Sequence, residues 1–69
     1  MSAAALLVLE LRSLRSSAPY WALQAVLDYP VDFASTLTEL RRLGLVEVHP
    51  PRPGWEPDEA IIKLAKALR

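Results

Sequence analysis

The chain has 69 residues, 52% of them hydrophobic, with eight Lys/Arg against eight Asp/Glu and no Cys. That length allows one small domain, 1–69, burying only about 60% of the surface its unfolded chain exposes. The missing Cys excludes disulfides, thiolate metal sites and a Cys nucleophile, and zero net charge argues against a domain held to nucleic acid by bulk charge.

Ser2 to Arg15 reads as the first helix, capped by Ser2 and rich in Ala, Leu, Glu and Arg. Ala4, Leu7, Leu11 and Leu14 fall on one stripe and are expected in the core. At about 100° per residue Leu9 points nearly opposite Leu7, with Leu6 beside it. A domain this small does not surround a helix on all sides, so Leu6 and Leu9 are the candidate interface of a homodimer. The apolar run Ala3 to Leu9 is too short to cross a bilayer and lacks a signal peptide's basic start and cleavage-site pattern. A soluble, cytoplasmic protein without membrane contact is the expectation.

Ser17 is a good N-cap for a second helix over Ala18 to Leu27, since Pro19 is tolerated in a first turn. Tyr20, Leu23 and Leu27 would face inward, and Asp28-Tyr29-Pro30 would break the helix. A third helix is expected from about Val31, capped by Asp28 or Asp32, with Phe33, Leu37 and Leu40 inward. Gly44 stops it by taking the left-handed conformation, and Leu45 folds back on the last turn. Val46 to His49 is extended and β-branched. Pro50 to Pro57 holds four Pro and one Gly, which neither a helix nor a central strand accepts. Trp55 in this loop is expected to pack down on the core, and Trp21 to serve the core or a partner. For Asp58 to Arg69, Pro57, Asp58, Glu59, Lys66 and Arg69 favour a fourth helix. Ala60 to Leu64 instead favours a strand paired with Val46 to His49, and the strand is preferred.

Leu23 to Val46 resembles the helix-turn-helix core of winged-helix transcription regulators of the MarR and PadR types. Those families write the third helix as apolar-x3-Leu-x2-Leu-x3-Gly-Leu-Val, here Phe33, Leu37, Leu40 and Gly44-Leu45-Val46. Ile62 to Arg69 is similar to their apolar-Arg-Leu-Thr-x2-Gly-Arg wing ending, with Ala65 in place of Thr and Leu68 in place of Gly. The resemblance implies an α+β, mostly α fold, a winged helix-turn-helix of three helices followed by a β-hairpin wing. It also implies a third helix in the DNA major groove and a wing reaching the minor groove.

Rotation about the third helix then places Ser35, Thr38 and Arg42 opposite the core, with Asp32 and Glu39 beside them. Arg42, and with it Arg41, suits guanine or phosphate, while Ser35 and Thr38 suit phosphate or base edges. Asp32 and Glu39 would repel phosphates unless neutralised. Arg52, stiffened by prolines, is the wing's candidate DNA contact. His49 is the only His, so no metal is expected, and no cofactor loop or catalytic constellation is found. The expectation is a dimeric, non-enzymatic transcriptional regulator whose third helices read half-sites about 34 Å apart. A winged-helix protein-interaction module is the alternative, favoured by the zero net charge.

Overall fold

The computed structural model describes residues 2–27 and 30–69, with nothing stated for the side chains at 30 and 31. The first helix, α1 (Ala3–Ser13), starts as its sequence suggests, the Ser2 Oγ accepting from the Ala5 N–H at 3.1 Å. It ends earlier than expected. Leu14 is the C-cap, and Arg15 (φ 63°) and Ser16 (φ 69°) follow in the left-handed region. The Ser16 N–H donates to the Leu11 carbonyl at 2.7 Å and the Arg15 N–H to the Arg12 carbonyl at 3.3 Å. This is the Schellman exit, which satisfies carbonyls that the last helical turn leaves without partners. Leu14 therefore leaves the helical periodicity and is 41% exposed, outside the core stripe assigned to it.

Ser17 does not cap a helix. It opens β1 (Ser17–Pro19), an edge strand, where Pro19 loses no sheet hydrogen bond by lacking an N–H. The second helix, α2 (Tyr20–Gln24), is shorter than expected, and its N-cap is Pro19, which makes no side-chain bond. Asp28, one candidate cap of the next helix, lies outside the described residues. The other, Asp32, sits within the first turn of α3 (Pro30–Arg42) and so is not its cap. There its carboxylate still meets the positive end of the helix dipole.

Gly44 closes α3 with φ 74°, the Leu45 N–H donating to the Leu40 carbonyl and the Gly44 N–H to the Arg41 carbonyl, both at 3.0 Å. The chain passes directly into β2 (Val46–His49) and returns as β3 (Ile61–Leu64). Residues 58–69 do not form a fourth α-helix. They supply β3, flanked by single 3-10 turns at Pro57–Glu59 and Lys66–Leu68. The antiparallel register pairs Val46 with Leu64 and His49 with Ile61. On its other side β3 pairs with β1, Ser17 facing Lys63 and Pro19 facing Ile61, so the sheet order is β1-β3-β2. The described residues thus form a small α+β unit of three α-helices and a three-stranded antiparallel sheet.

Alternation in the strands sends Ala18, Val46, Ile62 and Leu64 to the helix side and Ser17, Glu47 and Lys63 to the other. The inner face joins Leu7 and Leu11 of α1, Leu23 of α2, and Phe33, Leu37 and Leu40 of α3 in one cluster. Phe33 is fully buried, and Tyr20 meets it edge-on with ring centroids 4.7 Å apart. With Phe33, Leu37 and Leu40 turned inward, the opposite face of α3 is left to solvent.

Candidate nucleic-acid interface

The bare face of α3 carries Ser35, Thr38, Glu39 and Arg42, all exposed, with Asp32 and Arg41 on its margins. Each hydroxyl is turned back on the helix: the Ser35 Oγ donates to the Asp32 carbonyl at 3.2 Å and the Thr38 Oγ1 to the Ala34 carbonyl at 3.0 Å. Thr38 in this rotamer presents acceptor lone pairs outward, which suit base amines; a phosphate contact requires it to swing away.

Arg42 is already engaged. Its Nε donates to Glu39 Oε2 at 3.0 Å and its second fork nitrogen donates to Glu39 Oε1, a side-on bidentate ion pair one helical turn long. The bonded guanidinium holds the Glu39 carboxyl below the ordinary carboxylate range, and Glu39 raises the Arg42 pKa in turn. The acid that sequence reasoning treated as a source of repulsion is therefore neutralised in place, and the signal for it was the Glu-x2-Arg spacing. Arg41 is exposed and makes no ion pair among the described residues. Arg41 and Arg42 both lie in the last turn of α3, where positive charge offsets the helix dipole.

The β2–β3 connection presents Arg52 on a tight turn. The Trp55 N–H donates to the Arg52 carbonyl at 3.0 Å across Pro53 and Gly54, with Gly54 at φ 85°. Pro followed by Gly in the left-handed region is the signature of a type II turn. Trp55 does not pack on the core: it is 55% exposed, and the Arg52 guanidinium lies 5.5 Å from its ring centroid. The prolines hold the loop out by stiffness, so no core contact is required to shape it. Lys63 is not in this loop but on the central strand, opposite Glu47 and Ser17. Glu47 also receives the Arg69 guanidinium at 3.2 Å.

Leu6 and Leu9 are exposed on α1, as the rotation about that helix predicts, and Trp21 on α2 and Leu43 after α3 are exposed too. A hollow at the base of the β2–β3 loop is lined by Pro50, Pro51, Arg52, Trp55, Glu59 and Ile61. His49 is exposed at the end of β2, and no group of three acidic or imidazole side chains is placed to hold a metal among the described residues. Among these residues no helix is long and apolar enough to cross a membrane. No protein-family model matches the chain, and no significantly similar curated protein or solved structure is found.

Proposed function

We propose that the chain is a winged helix-turn-helix domain of the MarR/PadR type that binds double-stranded DNA through α3, as a cytoplasmic, non-enzymatic transcriptional regulator. The observation that carries this reading is the position of α3. It enters a β2–β3 hairpin directly, buries Phe33, Leu37 and Leu40, and leaves Ser35, Thr38 and Arg42 in solvent. A polar helix face of that kind, with an exposed Arg on the following β2–β3 loop, suits groove binding. Leu6 and Leu9 on α1 support a homodimer, since two exposed Leu one turn apart form an apolar strip that a second copy covers. Dimer symmetry then sets two copies of α3 on two half-sites.

A protein-interaction module is the second reading, favoured by the zero net charge and by Trp21 and Trp55, each more than half exposed. The test is binding to mixed duplex fragments at low and moderate salt, with sedimentation in parallel. Saturable binding that weakens steeply with salt supports the regulator. No binding at low salt moves the function to a protein partner. A Leu9→Glu variant is expected to sediment as a monomer, and a persisting dimer would place the interface elsewhere.

A further inference from the structure

The proposed DNA-binding face poses an electrostatic problem, because its cation Arg42 is already paired with an acid. Arg42 and Glu39 together carry no net charge, so the pair gains little from the phosphate field that holds most DNA-binding side chains. A base edge has no formal charge and does not repel the carboxylate. The geometry of the pair points the same way. Glu39 occupies the side edge of the guanidinium, the Nε and one terminal nitrogen. The end edge, with one N–H from each terminal nitrogen, is left open, and the side chain is exposed. Two parallel N–H donors at that spacing match the N7 and O6 acceptors that guanine alone presents in the major groove.

Resting on the DNA-binding reading above, we propose that Arg42 reads a guanine through the open end of its guanidinium, with Glu39 as the positioning residue that locks its side edge. Glu39 fixes the rotation of the guanidinium plane, so less side-chain freedom is lost when the base is met. The pair also resolves how a domain of zero net charge discriminates between sequences: phosphate attraction falls to other cations, Arg41 and Arg52 among them. A neutral fork supplies the base preference.

The test uses the full chain and duplexes selected from a randomised pool. Wild type is expected to prefer one G·C pair by about 10- to 100-fold over its alternatives. Arg42→Lys keeps the charge but not the fork, and is expected to lose that preference while the slope of log affinity against log salt stays unchanged. Glu39→Gln is expected to weaken the preference by an intermediate factor at the same position. If Arg42→Ala lowers the salt slope by about one and every base preference survives, Arg42 is a phosphate contact and the proposal fails. If Glu39→Gln keeps the full preference that Arg42→Lys loses, the positioning role of Glu39 fails. Absence of any saturable duplex binding by wild type would overturn the DNA-binding reading itself, and the guanine contact with it.

Discussion

The exits of α1 and α3 use the same backbone hydrogen bonds and very different residues. Both have a buried Leu, Leu11 or Leu40, whose carbonyl accepts the long closing bond. At the next critical position α3 has Gly44, for which a positive φ carries no steric cost. At the matching position α1 has Arg15, followed by Ser16, also at positive φ. Each non-glycine residue there costs on the order of 1–2 kcal/mol. The residues that accept the chain are both tied to the end of β3: the Ser16 carbonyl accepts from the Leu64 N–H and the Leu45 carbonyl from the Ala65 N–H, each at 2.9 Å, and Leu45 also packs against the core. Both exits are held by the sheet, and only that of α3 is eased by its local residue as well. A helix end can thus be shaped from a distance.

The largest effects are expected where the exits are alike. Leu11→Ala and Leu40→Ala each remove a buried side chain and should cost about 2–5 kcal/mol in urea unfolding. A markedly smaller loss at either site would show that its neighbours close over the cavity. Gly44→Ala should cost about 1–2 kcal/mol from left-handed strain. No neighbour lies within 4 Å of the added Cβ, so a steric term does not enter. Arg15→Gly should have the opposite sign, a gain of up to about 1 kcal/mol, read as a higher Tm. A lower Tm would mean that the Arg15 side chain earns its strained position.

The smallest effect concerns charge near the α3 exit. Glu39→Gln is expected to leave Tm unchanged within error, because both side chains of the Arg42 pair are exposed to solvent. The Glu39 carboxyl should nonetheless titrate, by carboxyl-carbon NMR, below an ordinary Glu, and Arg42→Ala should return it to the usual range. A depressed pKa makes the pair's contribution present at neutral pH and lost as pH falls through that depressed value.

The same comparison explains what could be read from the residues alone. Gly44 announces its turn, so the end of α3 was legible, and helical spacing gave the inward set Phe33, Leu37 and Leu40. The pairing of residues 60–64 with Val46 to His49 was preferred over a fourth helix, but its register was not given. Arg15-Ser16 announces nothing, and Ser17-Ala18-Pro19 has the composition of a helix start. The edge strand β1 was hidden for that reason, and the exposure of Leu14 with it. Its conformation is decided by pairing with Lys63 and Ile62, far along the chain. On the candidate site, helical rotation located Ser35, Thr38 and Arg42, while the Glu39 fork required knowing that two long side chains choose each other. Trp55 was expected to pack the loop down on the core, but it stands exposed on a tight turn with the Arg52 guanidinium over its ring.

The central strand β3 comes after both of its neighbours in sequence. Until residues 61–64 are in place, neither β1 nor β2 has a strand to pair with, and the Leu64 N–H that holds the α1 exit has not yet arrived. Helices and the local β2–β3 hairpin can form early, but β1 waits for closure of the long loop from Ser17 to Lys63, which has an entropic cost. The first strand in sequence is then the last to be paired, and its amides are expected to gain protection from solvent exchange no earlier than those of β2.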